Sequence, residues 1–460
     1  MKALKRLGLA VAAAAVLAVA PYLVLLAINR HDQPPSATVR AFEQALASRP
    51  VVADVDNAYL LMLGFGAPPD ADPLQIGITR RDWIVATAAD PDADTGEDPL
   101  PDDYHYESGR PPAVEAIASR CRTSAAECFD SIDENPEAVQ QWLAEEAWLL
   151  KRYRGLIGKP AYLETVDVRS DVALPFFGLI IEGQRLSLAS TYLSATDGAQ
   201  VRMALNRDLA FWRMVLANSD LLITKLVAAA AVKIDFEIGN EIVRASQVKY
   251  SDDAVPELWL AAIDESERSM QRPFIGEWRI VQNTVKRLTS NVVNPLASDY
   301  FAGRSWPQRM VWRSLLPLWQ PQDFSNRHAA ILDQLVELFD VPYGSIPDAI
   351  RQSASVEDEF PWRFGGAYNP VGRMLQLGAY SGFADRSAQV SDLEGIRRAA
   401  LLTVLMRENN TPPESITAVL RDTELTNPYT GEPFGWSRET GEIVFVGLEK
   451  GERGEHRFRY

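Results

Sequence analysis

The run from Leu7 to Ile28 constrains this chain more than any other stretch. It is an unbroken apolar run of 22 residues, preceded by Lys2, Lys5 and Arg6 and followed by Asn29, Arg30, His31 and Asp32. As a helix rising about 1.5 Å per residue, it matches a bilayer core of roughly 30 Å. The competing reading is a cleaved secretory leader processed after Ala18-Val19-Ala20. Pro21 directly behind that site obstructs cleavage, and the apolar residues continue beyond the roughly 7 to 15 of a leader core. The sequence therefore predicts an uncleaved, single-pass transmembrane helix over residues 7–28, with residues 1–6 as a cytoplasmic tip. The basic start favours leaving the N-terminus inside. The expected location is the inner membrane, with the bulk of the chain in a bacterial periplasm. The run holds no ionisable group beyond the phenol of Tyr22, so it reads as a tether.

The remainder is foldable: 47% of the chain is hydrophobic and 23% charged, unlike a disordered polymer. A net charge of −16 opposes binding to nucleic acid or to anionic lipid headgroups. The two cysteines, Cys121 and Cys128, agree with an oxidising compartment, where a disulfide closing a short loop is the expected state. Zinc is disfavoured by the gap between them and by the absence of a nearby histidine. So short a loop shapes the chain locally more than it stabilises the fold.

Residues 29–135 read as a linker and irregular N-terminal region around that cysteine loop. Gln33-Pro34-Pro35 is a stiff spacer, and Ser36 caps a short helix reaching about Ser48. Val51 to Leu63 fits either a strand or a helix. Asp90 to Glu107 is an acidic, proline-broken loop. Its Asp90, Asp92 and Asp94 suggest a calcium loop, but Thr95 and Pro101 stand where that loop needs glycine and glutamate.

Residues 136–343 read as an α-helical domain. Pro136 starts a helix with Val139, Trp142, Leu143, Leu150 and Tyr153 at helical spacing, ending at Gly158-Lys159-Pro160. Helices at 184–195, 199–218 and 220–246 follow, separated by short turns. That rhythm is the one found in hairpin stacks and solenoids, although no 34-residue period recurs. The aromatic stripe from Trp306 to Trp319 is expected to pack in the core, a seat on a membrane surface being the alternative. Residues 344–426 read as irregular plus helical, with a capping box at Ser391 and Glu394 opening a helix to Glu408. Residues 427–460 read as a β-hairpin tail, Phe434–Trp436 and Ile443–Val446 around Gly441.

The usual catalytic sets are missing. The histidines are His31, His105, His328 and His456, with no pair at ligand spacing, and no nucleophile elbow or zinc-protease motif occurs. The sequence predicts no catalytic residue, cofactor or metal ligand, and the chain is read as a non-enzyme.

Two segments resemble known groups. Asn427-Pro-Tyr-Thr-Gly-Glu-Pro-Phe-Gly-Trp436, with Gly441 to Gly447, resembles the C-terminal hairpins of proteobacterial secretory-pathway proteins, including pseudopilin-like ends. Asn57-Ala58-Tyr59, Leu63-Gly64-Phe65, Ala67-Pro68, Asp72-Pro73, the two-cysteine segment and Leu149 to Tyr153 resemble a group of single-span periplasmic proteins of Gram-negative bacteria whose function is unknown. That resemblance implies an anchored envelope protein and brings no activity. The expected fold is mainly α: a transmembrane helix, a hairpin-stack or solenoid-like periplasmic domain, and a small C-terminal β-hairpin. The expected role is an interaction or scaffold protein of the cell envelope, touching the membrane through residues 7–28 and a protein partner through helical grooves. An envelope hydrolase with a hidden carboxylate pair and an accessory of a secretion or pilus system are the alternatives.

Overall fold

The structure is a computed structural model, and it describes residues 19–89, 98–100, 111–165, 174–250, 254–293, 305–359, 366–376 and 382–460. The acidic loop falls almost entirely outside these residues, as does His105.

Helix α1 covers residues 19–28. It is followed by α2 (Ala37–Ala47), α3 (Ala58–Leu63), α4 (Pro73–Ala89), α5 (Pro112–Thr123) and α6 (Ala125–Glu134). Helices α7 (Pro136–Glu145), α8 (Ala147–Leu156), α9 (Phe177–Ser194), α10 (Gly198–Asn218) and α11 (Leu222–Tyr250) come next. The short α12 (Glu257–Leu260) and α13 (Glu265–Arg268) lead to α14 (Gln271–Val293), α15 (Trp306–Leu315) and α16 (Pro321–Phe339). Helices α17 (Ile346–Glu359), α18 (Pro370–Gln376), α19 (Phe383–Glu408) and α20 (Ile416–Asp422) precede strands β1 (Gly435–Ser437), β2 (Glu442–Val446) and β3 (Glu455–Arg459).

Local chemistry sets many of these boundaries. The Ser36 side chain accepts from the Val39 amide and starts α2, and Asp197 accepts from Gln200 and starts α10. Pro136 opens α7 as expected, but the helix does not run on to Ile157. It breaks at Glu146, whose backbone leaves the helical region before α8. The capping box expected at Ser391 is not formed. Helix α19 begins earlier, at Phe383, which leaves Ser391 and Glu394 buried in mid-helix. A capping box forms instead at Asp264 and Glu267.

Two parts of the expected fold are corrected. No helix among the described residues is long and apolar enough to cross a membrane. Of the expected transmembrane helix Leu7–Ile28, residues 7–18 lie outside the described residues, and residues 19–28 are helical. Nor is the body a hairpin stack or solenoid ending in a hairpin. A solenoid unit touches only its neighbours, whereas α11 packs against α6, α9, α10, α14, α19 and β3. Helices α11 and α19 are thus the axis around which the others wrap.

The C-terminal hairpin is a three-stranded antiparallel sheet in the order β1-β2-β3, with Trp436 opposite Ile443 and Ile443 opposite Phe458. It is no appendage: Ile443, Phe445 and Phe458 are buried in the same core as α19. Phe445 lies against Gly395 of α19, where a Cβ would collide with the ring. Tyr429, Phe434 and His456 surround that ring, so it has nowhere to move. Gly395→Ala should therefore destabilise the protein by about 1–3 kcal/mol, an overpacking cost exceeding the roughly 1 kcal/mol of helix propensity gained. The shift in urea midpoint measures it, and an unchanged midpoint would mean that the sheet is loosely seated.

The aromatic stripe from Trp306 to Trp319 does not pack as a core element. Leu318 is buried, but Trp306 is 73% exposed.

Candidate functional site

Helices α9, α10 and α11 run side by side, and where the end of α9, the start of α10 and the last turns of α11 meet they leave a cleft of about 210 Å³. Its walls are Tyr192, Leu193, Ala195, Val201, Ile242 and Ala245, with Ser246 among them. The lining side chains are apolar apart from two hydroxyls, while the lining surface as a whole is about equally polar and apolar. The Tyr192 ring is held edge-on against Phe129 at 4.6 Å, and its hydroxyl donates to Asp133 at 2.6 Å. The Ser246 hydroxyl is buried and has no hydrogen-bond partner within the chain. An unmet hydroxyl among apolar side chains is a polar contact held ready for whatever enters. The volume is small beside the 300–1,000 Å³ typical of small-molecule pockets. It suits one side chain.

The second feature lies in the core between the same helices. Asp208 and Asp235 are both buried. Asp208 accepts from the Tyr153 hydroxyl at 2.7 Å and from the Gln184 amide at 2.8 Å, and the Tyr153 oxygen in turn accepts from the Trp212 indole at 2.8 Å. Both carboxyl oxygens of Asp235 lack a partner within the chain. Burial, with the field of Asp208 added, pushes the Asp235 carboxyl well above the carboxylate range, and burial raises Asp208 to about 6. Two carboxyls in one dry site cannot both ionise readily, so the pair carries a proton at neutral pH. It is the arrangement nearest to a hydrolase's carboxylate pair, but it is sealed: Asp235 is fully buried and Asp208 is 2% exposed.

Other buried charges tie helices together. Glu164 accepts from the Leu221 amide at 2.7 Å, the Thr224 hydroxyl at 2.7 Å and the Tyr162 hydroxyl at 2.8 Å, so it caps the start of α11. The Arg213 guanidinium grips Glu267 through two contacts of 2.5 and 2.7 Å and also donates to the carbonyls of Leu258, Ala261 and Ala262. Beside it, Lys225 is buried with its ammonium on the carbonyls of Leu216 and Glu267, and burial lowers its pKa to about 7.

The one pairing named from sequence is present: Cys121 and Cys128 form a disulfide that joins α5 to α6. The described histidines are far apart in role. His328 is buried, its pKa lowered by burial to about 4. His456 sits under the sheet with Nδ1 3.4 Å from Glu237. His31 lends its backbone carbonyl to the Tyr368 hydroxyl. Among the described residues no group of three or more acidic, histidine or cysteine side chains is placed to hold a metal.

Sequence reasoning missed the cleft because its walls come from three helices and their apolar residues look like any core stripe. The run of polar residues within α11, Asp235, Asn240 and Glu241, was the available sign that this helix does more than fill space. No protein-family model, no curated protein and no solved structure matches this chain.

Proposed function

We propose that the protein is an interaction or scaffold component of the cell envelope, working outside the cytoplasm and binding a protein partner by taking into the α9–α10–α11 cleft one of its side chains, an amphipathic one with a polar group that meets the Ser246 hydroxyl. The cleft carries this reading. Interface anchors are single large side chains filling well-shaped pockets, and the 210 Å³ volume, apolar lining side chains and waiting Ser246 hydroxyl suit such an anchor. The Cys121–Cys128 disulfide supports the location, because disulfides persist in oxidising compartments.

A photo-crosslinking residue in place of Tyr192, at the cleft wall, tests the reading in whole cells. The expected result is a crosslinked envelope protein that disappears when Ala245→Trp fills the cleft. The thermal midpoint of that variant should stay within a few degrees of the parent. Crosslinking that persists in the filled variant, or cleavage of envelope polymers by the purified chain, would overturn it.

A further inference from the structure

We propose that α1 and α15 together seat this protein on the surface of a lipid bilayer that carries anionic headgroups, lying in the interface plane.

The first observation is that α1 has no polar face. Its inward side, Tyr22, Leu25, Leu26 and Asn29, is turned toward the protein and half-buried or buried. Its outward side is Val19, Leu23, Val24 and Ile28, each more than 40% exposed. A helix that is apolar all round is covered on all sides in its working state. Among the described residues the body covers one side of α1. The sequence leading into it, residues 7–18, contains no ionisable side chain, so the apolar character continues at Val19.

The second observation is the neighbour of α1. The Tyr22 hydroxyl donates to the Ser314 carbonyl at 2.8 Å, which sets α15 beside α1. Helix α15 presents Trp306, Met310 and Val311 to solvent at 73%, 45% and 57% exposure, with spacing that puts all three on one face. Behind both helices, the Asn29 side chain bonds the Ala367 carbonyl and the Asn369 amide, and Gln320 bonds the Asn29 carbonyl. This buried polar knot also brings in α18, where Met374 and Leu375 are exposed. Half of the large apolar side chains exposed among the described residues lie in these three short helices. A patch gathered in this way marks a contact surface.

Charge and residue type choose the occupant. From Ser305 to Gln320 the chain has Arg309 and Arg313 and no acidic residue, although its net charge is −16. Arg309 and Arg313 stand three and seven positions after Trp306 and so flank it on the same exposed face, a grouping that fits the headgroup boundary, where indole rings settle and basic side chains meet anionic lipid.

The test uses the full chain with Met310→Cys carrying an environment-sensitive dye. The native cysteines are already paired, so the label is unique. Vesicles of phosphatidylcholine and phosphatidylglycerol should blue-shift the dye at 310 and leave a dye at Met203→Cys, 68% exposed on α10, unshifted. Adding Trp306→Glu should raise the lipid concentration for half-maximal shift by at least about tenfold, the scale of withdrawing one large side chain from apolar contact. Omitting phosphatidylglycerol should raise it as well. Three results would overturn the proposal: no shift with any vesicle, vesicles that carry the protein while position 310 stays unshifted, or a shift that appears without lipid as protein concentration rises. The last would assign the patch to a second copy of the chain.

Discussion

Glu267→Ala should destabilise the protein by on the order of 3–5 kcal/mol, the scale of stranding one partner of a buried ion pair. Arg213 is 9% exposed and cannot reach water by a change of rotamer, because its guanidinium is also fixed on the carbonyls of Leu258, Ala261 and Ala262. The same substitution removes the capping box that starts α13. Lys225 keeps its two carbonyl partners, since its contact to residue 267 is through the backbone. The effect therefore reads the Arg213–Glu267 pair, the cap and the loss of the carboxylate's field at the buried Lys225. Urea unfolding should show a lower midpoint with an unchanged slope. The double substitution Arg213→Met with Glu267→Leu should recover part of the loss, because an apolar pair of similar volume carries no desolvation penalty. A double variant as unstable as the single one would mean that the carbonyl contacts, not the ion pair, hold α12 and α13 to α10.

The second large effect is on pH dependence. Both aspartates of the buried pair titrate near 3.9 when unfolded. In the folded chain Asp208 titrates at about 6, and Asp235 stays protonated well above the usual range. Below about pH 4 the folded and unfolded chains bind the same protons at these sites. As pH rises, the unfolded chain releases them while the folded chain keeps them, so stability falls by about 1.4 kcal/mol per pH unit for each retained proton. The Asp208 contribution levels off near its folded value of about 6, and that of Asp235 continues upward. Glu164, raised to about 7, and Glu146, raised to about 8, act in the same direction, burial being the first cause in both. His328, lowered to about 4, works the opposite way between about pH 4 and 6.5, and Lys225, lowered to about 7, does so above that value, so the Asp235 contribution is read from the difference between variant and parent, in which these two groups cancel. Asp235→Asn, equal in size and unable to ionise, should flatten the fall by one proton and leave the variant more stable than the parent at pH 7. Parallel slopes for the two proteins would show that Asp235 does not hold that proton.

Much of the helical inventory was legible because it is local. Ser36 and Pro136 fix helix starts through atoms within four residues of themselves, and α2 and α7 begin where those residues say. Local signals failed where tertiary contacts compete. Ser391 and Glu394 match a capping box, but Glu394 spends its oxygens on Arg397, Arg398 and the Ile263 amide, and α19 runs straight through. Strand β3 was missed because the alternation Glu455, His456, Arg457, Phe458, Arg459 contains one strongly apolar residue. Its inward face, His456 and Phe458, is recognisable only once β2 is beside it. The exposure of Trp306 was misjudged for a different reason: periodicity tells which residues share a face, not whether anything covers that face. The cleft was invisible for the same reason, since Tyr192, Val201 and Ile242 become neighbours only when three helices pack.

The way β3 is tied in has a kinetic consequence. Arg459 bonds Glu241 on α11 and Asp130 on α6, the latter 329 residues earlier in the chain. Near the other side of the fold, Gln320 and Asn369 reach back to Asn29. Contacts spanning most of the sequence mean that no early segment can complete its packing while later segments are still being made. Such a chain waits for its distant strands before it commits, and closing loops of that length is slow. During that wait the apolar flanks of α11 and α19 stay open to solvent and to other chains.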